Sequence, residues 1–201
     1  PELEDELRSV QCDFVLASAH SINNIDPFDP AFYEGKTIAQ VFRDYISSIL
    51  TGIKQLNPDL FSSVGHIDFP AKGAHSEKDS RLFYHYAPDE IDALFRYLIP
   101  LGKCIEVNTS SYRNLGELGV PGEDWLRRYV QLGGEFVTFG SDAHSPEYIA
   151  YRLDDAMEMG INWWNDWNIG DGTIGHRYGY TIKKYDMVNK TLKNLQEDPF
   201  S

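Results

Sequence analysis

The run Gly133-Gly134-Glu135-Phe136-Val137-Thr138-Phe139-Gly140-Ser141-Asp142-Ala143-His144 decides how the rest of the 201-residue chain is read. A double glycine ends one element. A short apolar, β-branched stretch over residues 135–140 then reads as a strand. That strand leads straight into an aspartate and a histidine. Three other stretches are built alike. Residues 13–18 lead into Ala19-His20, residues 63–68 contain Gly65-His66-Ile67-Asp68, and residues 104–109 contain Glu106-Val107-Asn108 ahead of Ser110-Ser111.

Helical patterns separate the four strands. Ile38, Val41, Phe42, Tyr45, Ile46, Ile49, Leu50 and Ile53 fall on one face at 3–4 spacing. Ile91, Leu94, Phe95, Leu98 and Ile99 form a second such face, opened by Pro88-Asp89-Glu90 and stopped by Pro100 and Gly102. A third helix is expected over about 123 to 132. A fourth follows Ser145-Pro146, with Ser145 as N-cap and Pro146 at the first helical position, and runs to near Gly160. Alternating strand and helix predicts the α/β class, with parallel strands and right-handed crossovers. Periodicity leaves open whether the sheet closes into a barrel.

Composition bounds the function. Hydrophobic residues make up 42% and aromatics 13%, enough for one sizeable core. The formal net charge of −13 repels long nucleic acid and anionic membranes, and no stretch approaches the length of a membrane span. An anionic substrate therefore needs local positive charge from basic side chains or bound metal. Cys12 and Cys104 lie beside apolar runs and are expected to be buried free thiols in a reducing, cytoplasmic setting. After Gly160 the pattern gives way to Trp163-Trp164-Asn165-Asp166-Trp167-Asn168 and a Gly-rich stretch to Gly179. The expected division is an α/β domain over 1–160 and an aromatic, Gly-rich extension over 161–201 packed on it.

Polar residues appear at the C-terminal end of every strand, where α/β folds place their sites. Side chains alternate along a strand, so His66 and Asp68 share a face, as do Glu106 and Asn108. Asp142 and His144 share one too where the strand geometry continues that far. Imidazoles and carboxylates together suit zinc, manganese or iron, and such ions would attract phosphate to an acidic protein. One histidine after a strand is more often a surface or hydrogen-bonded residue than a ligand. Four such endings in one chain point to a shared site. His85 and His176 lack this context, and His75 sits in a loop that could face the site.

The segments 13–20, Ile25-Asp26-Pro27, Gly65-His66-Ile67-Asp68-Phe69-Pro70, 105–113 and 133–144 resemble, in order, the polymerase-and-histidinol-phosphatase (PHP) superfamily, its histidinol-phosphatase branch in particular. The resemblance covers roughly residues 1–160. It implies a distorted seven-stranded β/α barrel with two or three divalent metal ions (zinc, manganese or iron), and His20, His66, Asp142 and His144 as metal ligands. The resemblance further implies that the ions would supply an activated hydroxide for in-line attack on phosphorus, with no separate catalytic side chain. Arg113 fits phosphate binding, because a guanidinium matches phosphate bidentately. Lys72 is a weaker candidate of the same kind. Asp68, Glu106 and Asn108 would support the ligands from behind. The family's opening His-x-His strand, a further His and a Glu have no counterpart before Cys12, so the chain is expected to lack the first strands of the barrel and to be inactive alone if those ligands are essential.

Three functions compete on this reading. The first is histidinol-phosphate phosphatase in histidine biosynthesis, acting on a small phosphorylated substrate. The second is a phosphoesterase of the same kind working on nucleotides or other phosphate esters. The third is a degenerate, non-catalytic module. Oligomeric state is not legible in the sequence.

Overall fold

A computed structural model describes residues 2–10, 12–72, 84–114 and 121–157. Four strands, β1 (Leu16–Ala17), β2 (Ser63–Val64), β3 (Cys104–Asn108) and β4 (Val137–Gly140), form one sheet in the order β1-β2-β3-β4. Every neighbouring pair is parallel. The α/β expectation holds, and so do the positions of the four strands. The strands are shorter than predicted at β1 and β2. β2 stops at Val64 because His66 takes a left-handed backbone (φ 27) that an extended strand cannot contain.

The helices that carry the sheet are α1 (Glu2–Ser9), α2 (Ile38–Gln55), α3 (Pro88–Leu98), α4 (Ser111–Asn114) and α5 (Glu123–Gln131). α2 starts at a capping box: Thr37 Oγ1 accepts the Gln40 N–H at 3.3 Å, and Gln40 Oε1 accepts the Thr37 N–H at 2.8 Å. Its predicted face is the buried one, with Val41, Phe42, Tyr45, Ile46, Ile49 and Ile53 inside. α3 buries Ile91, Leu94, Phe95 and Leu98, and the chain turns away at Gly102 with φ 64. α5 buries Trp125, Leu126, Tyr129 and Val130. Phe42 meets Trp125 edge-on at 6.3 Å and Phe95 meets Tyr129 at 5.2 Å, so the three helices share one core with the sheet. Tyrosine hydroxyls pin helices to strand ends. Tyr45 donates to the Ala19 carbonyl at 2.8 Å, and Tyr129 donates to the Phe136 carbonyl at 2.9 Å.

Two expectations fail. The segment after Ser145-Pro146 makes a 3-10 turn, Pro146–Tyr148, in which the Ser145 side chain caps nothing. Left-handed residues at Ala150 (φ 59) and Arg152 (φ 54) then interrupt it, and helix resumes only over residues 153–157. Its backbone polar groups are used elsewhere: Thr109 Oγ1 donates to the Tyr151 carbonyl at 2.6 Å, and the Ala150 N–H donates to Ser141 Oγ at 3.2 Å. Cys104 is buried as expected, but Cys12 is exposed, because it lies in the surface connection between α1 and β1. No helix among the described residues is long and apolar enough to cross a membrane. Residues 161–201, His75 and His176 lie outside the described residues.

Candidate active site

The strand ends open into a cavity of about 630 Å³ lined by His20, Asp26, Phe28, His66, Phe69, Ser110, Arg113, Asp142, His144, Ser145 and Tyr148. Five of the sequence-predicted residues, His20, His66, Arg113, Asp142 and His144, therefore share one space.

On the β1–β2 side the two imidazoles face each other, with Nε2 to Nε2 at 3.2 Å. His66 is buried and His20 exposed. Phe69, in the turn after β2, lies 4.8 Å from the His66 ring and 6.1 Å from that of His20, edge-on to the latter. Two nitrogens bound to one tetrahedral zinc at about 2.0–2.1 Å stand about 3.3 Å apart, so this pair is spaced as a ligand pair would be. The same spacing serves a hydrogen bond between one protonated and one unprotonated nitrogen.

On the β4 side Asp142 also has a left-handed backbone, φ 48, so alternation along a strand does not carry through to His144. His144 turns back instead, its Nδ1 lying 3.0 Å from the Asp142 carbonyl oxygen and 3.7 Å from Oδ1. Its side chain is 85% exposed. Arg113, at the C-terminal end of β3 in α4, donates from Nη1 to the Ser141 carbonyl at 3.0 Å and from Nη2 to the Asp142 carbonyl at 2.9 Å. Its guanidinium rests 4.5 Å over the Tyr148 ring. Among the described residues no group of three or more His, Cys, Asp or Glu side chains is gathered tightly enough to hold an ion. The two halves line one cavity without converging on one point.

β3 lies beneath, and its predicted alternation holds. Glu106 and Asn108 are buried neighbours, Asn108 Nδ2 donating to Glu106 Oε2 at 3.1 Å. The same carboxylate oxygen accepts the His66 N–H at 3.0 Å. Asp68 is fully buried in the turn after β2, close enough to Tyr45 to help raise its pKa, after burial itself, and is not among the cavity's lining residues. The expected shared face of His66 and Asp68 is lost with the left-handed turn at His66. Lys72 closes the short turn Phe69–Lys72, and its side chain lies outside the described residues. Asp26, Phe28, Phe69, Ser110 and Tyr148 are cavity residues to which the sequence reading gave no role. Asp26 and Ser110 stood within motif segments, but only the fold brings them to the strand ends.

No family model matches the chain. Over 165 residues, 80% of this chain and 63% of the relative, it is 28% identical to a protein named probable histidinol-phosphatase in Clostridium acetobutylicum. A protein of the same name in Deinococcus radiodurans is 28% identical over 161 residues, 78% of this chain and 56% of its own length. The likeness extends to a solved structure. The histidinol phosphate phosphatase of Lactococcus lactis subsp. lactis, complexed with zinc, L-histidinol and phosphate, superposes with a TM-score of 0.60 at 26% identity. That match covers 92% of this chain and 60% of the other. The chain thus spans roughly three fifths of the length of the histidinol-phosphatases it resembles. Separately, 44 residues, 22% of the chain, are 50% identical to thymidylate synthase of Lactococcus lactis subsp. cremoris and cover 16% of that enzyme.

Proposed function

We propose that the chain carries the site of a metal-dependent phosphoric monoester hydrolase whose substrate is L-histidinol phosphate, cleaved by water to L-histidinol and phosphate. The observation that carries this is the single cavity into which His20, His66, Arg113, Asp142 and His144 all open. His20 with His66, and Asp142 with His144, would hold the divalent ions, two or three in number and zinc, manganese or iron by donor type. Such ions, when bound, supply charge for the phosphoryl oxygens and lower the pKa of a water. Arg113 brings fixed positive charge to the phosphate in a protein whose net charge is −13. Asp26 and the rings of Phe28, Phe69 and Tyr148 line the same cavity, so an amine and a flat imidazole find partners beside the phosphate. The four parallel strands fit a segment of a larger β/α barrel with the site at its C-terminal rim. Forty-four residues are too small a part of thymidylate synthase to support that activity here.

The test is phosphate release from L-histidinol phosphate and from nucleoside 5′-monophosphates by the zinc- or manganese-loaded chain, with Asp142→Ala beside it. Histidinol phosphate should be the faster substrate. The variant should lose more than the roughly 10–100-fold typical of removing a partner behind a ligand. Faster nucleotide hydrolysis would move the function to the second phosphoesterase reading. An unaffected Asp142→Ala would remove the cavity from the chemistry.

A further inference from the structure

Arg113 is ordered without being neutralised. Arg96 and Arg128 pair with Asp92, Arg127 with Glu123 and Arg152 with Asp155. Arg113 makes no ion pair among the described residues. Its acceptors are two neutral carbonyls, that of Ser141 from Nη1 at 3.0 Å and that of Asp142 from Nη2 at 2.9 Å. A guanidinium has five N–H groups, so three remain after these two bonds. Aromatic rings hold the same group from another direction. Its Cζ lies 4.5 Å from the centre of the Tyr148 ring and 5.9 Å from that of Tyr151, and the two rings meet edge-on at 5.7 Å. Both tyrosines stand on the turn after Ser145, where left-handed Ala150 and Arg152 break the expected helix. Such backbone persists where surrounding bonds over-determine it. Ser141 Oγ accepts the Ala150 N–H and Thr109 Oγ1 donates to the Tyr151 carbonyl, so the turn is tied to the residues that directly follow β4 and β3. Tyr148 and Arg113 both line the cavity. The Tyr148 hydroxyl makes no hydrogen bond among the described residues, so the ring itself makes the contact.

We infer that Tyr148 is a positioning residue for Arg113: its ring, carried by the turn after β4, fixes the guanidinium at the cavity and leaves the remaining N–H groups for a phosphate. This rests on the reading of the cavity as a phosphatase site. A carboxylate partner would order the arginine equally well but cancel its charge. Two carbonyls and a ring order it and leave the charge in place. Ordering before the ligand arrives removes side-chain freedom that binding would otherwise have to overcome. Tyr148 thereby serves the phosphate end of the cavity, and the irregular turn acquires a role that a regular helix start would not explain.

The experiment measures inorganic phosphate binding by calorimetry to the zinc-loaded full chain, with excess zinc removed, for wild type, Tyr148→Leu, Tyr148→Phe and Ile149→Ala. Ile149 is 71% exposed and does not line the cavity. Tyr148→Leu should weaken phosphate binding about 3- to 30-fold, the span of a cation–π contact. Tyr148→Phe should keep most of the affinity and Ile149→Ala all of it. In an Arg113→Ala background, Tyr148→Leu should cost nothing further. In the metal-free proteins the Arg113 side-chain protons should show a ring-current shift that Tyr148→Phe keeps and Tyr148→Leu loses. Wild-type phosphate affinity in Tyr148→Leu would overturn the positioning role. Equal losses in Tyr148→Leu and Tyr148→Phe, or an undiminished loss in the Arg113→Ala background, would do the same. Hydrolysis of L-histidinol phosphate is followed separately. Wild type that binds phosphate but releases none from the ester would sink the hydrolase reading alone, with the binding series still deciding the role of Tyr148. Wild type that binds no phosphate would overturn both.

Discussion

His66 and Asp142 both hold left-handed backbone without being glycine, at φ 27 and φ 48, and both stand at the mouth of the same cavity. Conformations of that kind cost on the order of 1–3 kcal/mol each and persist where surrounding bonds over-determine them. Here Glu106 holds the His66 N–H, and Arg113 holds the Asp142 carbonyl. Gly140 makes the Glu106 position possible. A Cβ at residue 140 would sit 2.0 Å from Glu106 Oε1 and 3.0 Å from its Cδ, and a buried carboxylate bonded on two sides has nowhere to retreat. Gly140→Ala should therefore lower stability by about 1–3 kcal/mol in denaturant unfolding and weaken zinc binding in the same protein. Gly65→Ala is the milder change. Its Cβ meets chiefly the Ser18 hydroxyl, at 2.5 Å, on an exposed residue that can rotate away. Equal losses in the two variants would show that Glu106 is not held as described.

Between elements, α5 packs against α3 and the segment just before it, and two aspartates there respond to pH in opposite senses. Asp92 on α3 accepts from Arg128 Nε at 2.8 Å, from Arg128 Nη2, and from the Tyr84 hydroxyl at 2.9 Å. The Arg128 bonds above all hold its carboxyl below the usual range, so its contribution to stability is present above the unfolded pKa near 4 and is lost as pH falls through the lowered value. Asp124, in the first turn of α5, is pushed up to about 6 by burial. Its folded state holds a proton that the unfolded chain has released, so stability falls as pH rises from about 4 to about 6 and stays lowered above that. Asp124→Asn should thus melt with the wild type near pH 4 and above it at pH 7 to 8. A difference independent of pH would mean that Asp124 ionises normally. These helices were legible in the sequence because apolar spacing, the Pro88-Asp89-Glu90 start and the glycines at 102 and 133–134 all agreed with the final packing. The segment after Ser145 misled because a serine and a proline announce a helix start, while the competing bonds, to the nearby Ser141 and to Thr109 far back in the chain, form only in the folded turn. The same limit applies at the cavity. Four strand endings identified its residues, but the left-handed turns, which decide where His66 and Asp142 point, are signalled only weakly: aspartate and histidine enter that region more readily than most residues without specifying it.

At the scale of the molecule the sheet is uneven, and the site straddles the unevenness. β3 and β4 pair over four residues, from Ile105 with Val137 to Asn108 with Gly140, inside a buried core. β1 pairs with β2 over only two, and Leu16 within it and Phe14 before it are 39% and 42% exposed. The His20–His66 half of the cavity is therefore mounted on the weakly held part of the sheet, and Asp142 on the strongly held part. Opening free energies follow burial and ladder length, so in metal-free protein the Leu16 and Ala17 amides should exchange with solvent far faster than those of Ile105 and Val107. A ligand that binds only the folded arrangement adds RT ln(1 + [L]/Kd) to the stability of what it holds together. If His20 and His66 share an ion, saturating zinc at about 100 times Kd should slow exchange around β1 and β2 by about 100-fold. Ile105 and Val107, which already open only with the whole domain, should gain no more than that global increment. Hydrogen exchange read by NMR with and without zinc checks this directly, and His20→Ala should abolish the added protection of β1 while leaving the metal-free pattern in place. Zinc that protected β4 but not β1 would put the ion on Asp142 and His144 alone and separate the two halves of the site.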